Sequence, residues 1–219
     1  FFENGQIKQE QNFKNDKLDG FYFSYFENGQ TRNEGSYKDN LRHGQFFLYF
    51  ENGQIEEQQN FINDKLDGIY ISYFENGQIW NEGSYIDGER EGKWTIHNED
   101  GKLEQEHNYK YGKFDSFCNS YYENGQIWTE ERYKDEKKDG KWTRYYENGQ
   151  IHSNGDYKDG NKDGEWIWYH EDGKIKLKKN FINIPTPTQS SKRAKWVKFD
   201  EAPTPKKKLN PKYPAICKQ

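Results

Sequence analysis

Ile79-Trp80-Asn81-Glu82-Gly83-Ser84-Tyr85-Ile86-Asp87-Gly88-Glu89-Arg90-Glu91-Gly92-Lys93-Trp94-Thr95-Ile96-His97-Asn98-Glu99-Asp100-Gly101 is one beat of a repeating chain. Its closing tripeptide, Glu-Asn-Gly or Glu-Asp-Gly, returns every 24 residues without insertion or deletion, at Gly5, Gly29, Gly53, Gly77, Gly101, Gly125, Gly149 and Gly173. About 180 of the 219 residues are therefore one unit repeated. Units of this length bury their apolar faces only against their neighbours, so the chain builds a quasi-one-dimensional array instead of a globule with one central core.

Each unit contains two short β-type segments and two turn signals, with no 3.6-residue period and no segment long enough for a helix. Asn-Gly and Asp-Gly supply the positive φ of tight hairpins. The second turn reads as a longer Asp/Gly/Lys loop ending at Gly20, Gly44, Gly68, Gly92, Gly140 and Gly164, with Ser116 in that place in the fifth unit. In the first segment, Ile55 with Phe61 and Ile79 with Tyr85 share a face by alternation, and Gly35, Gly83 and Gly155 on that face leave room for a neighbour's ring. Glu34, Glu82, Glu106 and Glu130 fall on the opposite face, which is expected to be wet. The second segment contributes Tyr22, Phe46, Tyr70, Trp94, Trp142 and Trp166, with Cys118 as the odd member. The expected fold class is all-β, an elongated array of antiparallel β-hairpins in a single twisted or rolled sheet. Sixteen strands at about 4.8 Å each give a length on the order of 75 Å.

Residues 2–39 and 50–87 match at 29 of 38 positions, so a two-unit block has been duplicated. Growth by copying suits a spacer or contact surface better than a unique catalytic pocket. Residues 182–219 carry nine Lys or Arg against two acids, net +7, which leaves 24 bases against 35 acids, net −11, in residues 1–181. An acidic array argues against a phosphate-neutralising surface, so nucleic acid is not expected as a partner, while a Lys-rich tail is able to touch an anionic membrane surface. The chain opens inside a unit and contains no Met, which reads as a fragment. No stretch is long and apolar enough to span a bilayer. Cys118 and Cys217 form no metal or redox motif.

Gly140-Lys141-Trp142-Thr143-Arg144-Tyr145-Tyr146-Glu147-Asn148-Gly149-Gln150-Ile151 resembles the bacterial variant of the MORN repeat, known in some proteins as a YwqK-type antitoxin. The resemblance covers about eight units, residues 1–181. It implies an elongated hairpin array that contacts a protein or a membrane, with no catalytic residues. Residues 182–212 read as a Pro- and Lys-rich linker. The ending, Asn210 to Gln219 with Tyr213-Pro214, resembles the opening of a TonB-type C-terminal domain over about ten residues. That tail resemblance implies a periplasmic or cell-envelope location; without it the array is expected in the cytoplasm.

The residues themselves offer little chemistry. Rows such as Glu3, Glu27 and Glu51, or Asp19, Asp67 and Asp139, recur at turns and do not converge the six to eight oxygens calcium needs. The five histidines hold no ligand spacing, and no nucleophile motif, phosphate loop or dinucleotide fingerprint occurs. No cofactor, metal or catalytic residue is expected. Trp80 and Trp128 stand out, because alternation places both on the wet face, 48 residues apart, as partner-binding candidates. The sequence thus points to a non-enzymatic scaffold that contacts a protein partner, an envelope component or a toxin; the alternative is an antitoxin or immunity protein that neutralises a toxin.

Overall fold

The computed structural model describes residues 1–182. The linker from residue 183 and the TonB-like ending lie outside the described residues. Phe1–Phe181 form one compact unit. Its elements are β1 (Gln9–Lys14), β2 (Lys17–Tyr25), β3 (Thr31–Lys38), β4 (Leu41–Arg42), β5 (Gly44–Tyr49), β6 (Ile55–Ile62), β7 (Lys65–Leu66), β8 (Gly68–Tyr73), β9 (Ile79–Ile86), β10 (Glu89–His97), β11 (Leu103–Lys110), β12 (Lys113–Tyr121), β13 (Ile127–Lys134), β14 (Lys137–Lys138), β15 (Gly140–Tyr145), β16 (Ile151–Lys158), β17 (Asn161–Tyr169) and β18 (Ile175–Phe181). The described residues contain no helix, so none is long and apolar enough to cross a membrane.

All eighteen segments belong to one antiparallel sheet. Each strand pairs with the next in sequence; β4, β7 and β14 are the short first halves of strands that resume as β5, β8 and β15 against the same neighbour. No ladder joins β1 to β18, so the sheet is open. With those halves joined the eighteen segments make fifteen strands, one fewer than the expected sixteen, because the eighth unit contributes only β18 among the described residues.

The Glu-Asn-Gly beat is a three-residue hairpin loop. Gly29 N–H donates to the Phe26 carbonyl at 2.9 Å and Phe26 N–H to the Gln30 carbonyl at 2.8 Å, with Gly29 at φ +86. Only the glycine takes positive φ. The asparagine instead ties the loop to its surroundings. Asn28 Oδ1 accepts from Gln30 N–H at 2.9 Å, and Asn28 Nδ2 donates to the Glu51 carbonyl of the next unit at 3.3 Å. The same rung joins Asn52 to Glu75 and Asn76 to Glu99.

The second turn is not a long loop. It is a two-residue turn at Asn15-Asp16, Asp39-Asn40, Asn63-Asp64, Asp87-Gly88, Tyr111-Gly112, Asp135-Glu136 and Asp159-Gly160, both residues at positive φ, which matches the twist of the flanking strands. The glycine thought to end a loop sits inside the following strand, at a register break: Phe13 faces Leu18 but Gln11 faces Tyr22. Ser116 holds the same left-handed conformation, φ 81, at a local cost of about 1 kcal/mol. These turns also bind unit to unit, since Asp64 N–H donates to the Arg42 carbonyl at 3.0 Å. Asp67 and Asp139, read from sequence as turn formers, accept from the N–H groups of Asp87 and Asp159 in the next turn. Both margins of the sheet are therefore laced.

One face carries the core. Cross-strand partners Tyr22↔Gly35, Phe46↔Gln59, Tyr70↔Gly83, Trp94↔His107, Cys118↔Glu131, Trp142↔Gly155 and Trp166↔Lys179 form a row across the sheet. The glycines do make room for rings: a Cβ on Gly35 would stand 2.5 Å from Phe46 Cγ, and one on Gly83 or Gly155 would run into the Trp94 or Trp166 indole. Lying flat over glycine, Trp94 and Trp166 are 2% and 0% exposed, and each indole N–H donates to a backbone carbonyl, of Ser84 at 3.2 Å and of Asp156 at 3.0 Å. Edge-to-face contacts continue the row, as at Tyr85–Trp94 (5.1 Å) and Tyr157–Trp166 (5.2 Å), each adding about 0.5–1.5 kcal/mol beyond burial.

Gly83 is not at positive φ, so its requirement is purely steric. Gly83→Ala is expected to destabilise the array by about 1–3 kcal/mol through overpacking. Trp94→Leu alone also destabilises, but in the Gly83→Ala background it recovers part of the loss. Urea denaturation followed by circular dichroism measures the coupling, and additive losses would show that the ring does not rest on this glycine.

Candidate functional site

The face opposite the rings is not simply wet. Glu34, Glu106 and Glu130 are half-buried and accept from the hydroxyls of Tyr49 (2.6 Å), Tyr121 (2.7 Å) and Tyr145 (2.8 Å), each tyrosine coming from the neighbouring strand fifteen residues on. Glu82 accepts from Thr95 Oγ1 at 3.3 Å. Burial first, then the carboxylate neighbour, pushes Tyr121 and Tyr145 up to about 12. This face is thus a folding device as well, and a contact site must be sought where the repeat varies.

Variation concentrates beside the aromatic residue that precedes Glu-Asn-Gly. That ring is packed by the side chain six residues later: Lys8 Nζ lies 5.8 Å from the Phe2 centroid, Arg32 Cζ 5.7 Å from Phe26, the Trp80 ring 6.1 Å from Phe74, Trp128 6.4 Å from Tyr122, and His152 4.8 Å from Tyr146. The hairpin loop fixes the ring, because the same residue's N–H and carbonyl close it, as Phe74 does with Gln78 and Gly77. The strand that follows then delivers the varying residue over it.

Trp80 and Trp128 occupy this position but part company. Trp80 is 48% exposed and lines a groove of about 480 Å³ with Phe50, Glu56, Tyr73, Phe74 and Glu99. Trp128 is half-buried, with the Arg144 guanidinium 5.4 Å from its ring. The two tryptophans belong to separate units and form no joint site. Phe50, Phe74 and Glu56 were not singled out from sequence. The signal that would have found them is the comparison of the duplicated blocks, where Lys8 and Arg32 of the first copy become Glu56 and Trp80 of the second.

The irregular fifth unit is a core adjustment. His107, 1% exposed, stands where Gly83 stands in the unit before, and Cys118, also 1% exposed, stands where the others carry a ring. A large and a small residue have exchanged places. Next in the row, buried Glu131 accepts from Tyr133 Oη at 2.7 Å, Trp142 Nε1 at 3.1 Å and Lys138 Nζ at 3.1 Å. These groups are closed to solvent and offer no reaction site. Among the described residues, no three His, Cys, Asp or Glu side chains converge as metal ligands would.

The family model described as MORN repeat variant matches one stretch in every unit: residues 1–15, 18–39, 42–63, 66–87, 90–111, 118–135, 138–159 and 162–183. The gap at 112–117 falls on the Ser116 strand, where the bulge glycine is missing. No curated protein matches the chain.

The tyrosine–glutamate pairs set a pH dependence. Free tyrosine loses its proton near 10, whereas Tyr121 and Tyr145 hold theirs to about 12, so the folded chain binds more protons in between. Stability is fully present below pH about 10 and falls as pH rises to about 12. Denaturant midpoints between pH 9 and 12 are expected to drop, with a shallower slope in Tyr121→Phe/Tyr145→Phe; an equal slope in the variant would show that these pairs do not govern the loss.

Proposed function

Because the chain belongs to the MORN repeat variant family, a repeat type that is not catalytic, we propose that it is a binding scaffold for a protein partner and not an enzyme. The observation that carries this reading is the exposed Trp80 in its groove. Rings of the core row, the turn asparagines and the tyrosine–glutamate pairs are all engaged in holding strands and units together. Trp80 is a large aromatic side chain that the sheet leaves half in water, beside other rings. Exposed tryptophan at the centre of a concave patch is the residue type that dominates protein contacts. The net charge of −11 over residues 1–181 supports a protein partner over nucleic acid. A toxin is the partner class suggested by the resemblance of the repeat, and an envelope component the one suggested by the resemblance of the tail. Co-expression with the candidate toxin separates them, since only a neutralising partner restores growth.

A photo-crosslinking amino acid placed at Trp80 of the full chain is expected to capture one defined protein from the native host. The same group placed at the exposed turn residue Glu27 is not. Trp80→Ala lowers co-purification of that protein at least fivefold. Equal crosslinking from both positions, or turnover by the purified chain on a substrate panel, would overturn the scaffold reading.

A further inference from the structure

We infer that the groove between Phe50 and Trp80 is a seat for a lysine or arginine side chain supplied by a basic segment of the partner. The inference rests on the scaffold reading and adds the chemistry of what is bound.

The argument comes from the two copies of the duplicated block. In the first copy the chain caps its own rings with cations, Lys8 over Phe2 and Arg32 over Phe26. The second copy keeps the rings, as Phe50 and Phe74, but replaces the two cations by Glu56 and Trp80. The ring at Phe50 has thus lost its internal cation and gained a carboxylate at the same position. The change inverts the local charge while preserving the π face, which is what a cation from outside requires.

Elsewhere the array regularly seats cations on rings. Arg42 lies 4.0 Å from the Phe61 centroid, Arg90 4.3 Å from Trp94 and Lys162 3.9 Å from Trp166. Rings of Phe50, Tyr73, Phe74 and Trp80 line the groove, with Glu56 and Glu99 among its four glutamates. Ser72, 2% exposed, also lines the groove beside the Tyr70 phenol, which donates to Glu57 at 3.1 Å. Aromatic rings and four glutamates together select a guanidinium or ammonium group over a neutral or anionic one.

A hexa-arginine peptide titrated into the full chain, with the Trp80 indole resonance assigned by its loss in Trp80→Phe, tests the seat. The peptide is expected to shift that resonance saturably and a hexa-glutamine peptide is not. Glu56→Gln weakens the arginine peptide at least fivefold, Glu27→Gln leaves it unchanged, and Glu56→Lys, which restores the arrangement at Lys8, abolishes it without lowering the thermal midpoint. Equal affinity of the peptide for wild type and Glu56→Lys would assign binding to the general acidic surface and overturn the seat. A Trp80 resonance that does not move with the arginine peptide would overturn the seat. If the protein captured through Trp80 is retained in full by Glu56→Lys, the scaffold reading stands and the cation seat falls.

Discussion

A single open sheet has no second layer to pack against, so its apolar face must cover itself. This chain meets that constraint by laying an indole or phenyl ring flat across the neighbouring strand, over a residue with no side chain. Trp94 over Gly83 and Trp166 over Gly155 reach nearly complete burial in this way, although the sheet is one layer thick. The constraint propagates outward. A ring finds its glycine only if every strand keeps register, and a one-residue slip would turn the ring to the other face. Hence the 24-residue period tolerates no insertion, and both margins are laced, by asparagine to the next loop's carbonyl on one side and by turn N–H groups on the other.

The same constraint explains how the row survives its exceptions. His107 fills the place a glycine would hold, and the strand beside it answers with Cys118 in place of a ring, so the volume of the pair is kept. Glu131 brings a carboxylate into the row, which would be costly if left unpaired. Three donors from Tyr133, Lys138 and Trp142 surround it, and Trp142 N–H turns to the carboxylate where Trp94 and Trp166 use a backbone carbonyl. What looks degenerate in the core row of the fifth unit is compensated packing.

Much of this was legible in the sequence, because turn chemistry and two-residue alternation are local. The hairpin at Gly29, the shared face of Gly35 and its ring, and the antiparallel meander all follow from spacing alone. The second turn was only partly legible: Asp87-Gly88 and Asp159-Gly160 carry the hairpin pair, but four of its seven copies, such as Asp39-Asn40, have no glycine, and the recurring glycine at Gly44 marks the break inside the next strand. The role of Asn28 was hidden for another reason: its partner, the Glu51 carbonyl, is a backbone group that no side-chain pattern reveals. The wet face was misjudged because Glu34 reads as solvent-facing until Tyr49 is seen to fold over it. Trp80 was legible as an outlier. Its neighbours were not, because Phe50 and Phe74 recur with the beat and so look purely structural.

Among the described residues β1 and β18 pair on one side only, and an edge of that kind invites further strands. The margin strands are treated differently from the rest. β1 and nearly all of β18 are exposed, and β18 alternates Lys176, Lys178 and Lys179 with Leu177, so a strand adding there would bury lysine ammonium groups against its own side chains. Lys178 is held by Glu165 of β17 at 3.3 Å, which keeps the charge over the sheet. Lysine charge along β18 opposes strand addition to that edge but not contacts made on the faces of the sheet. On those faces, the residue six positions after each leading ring is the site where a copied unit is free to change without disturbing register. Function on such a scaffold is then expected to evolve one side chain at a time, at the position that carries Lys8, Arg32, Glu56 and Trp80 in successive units.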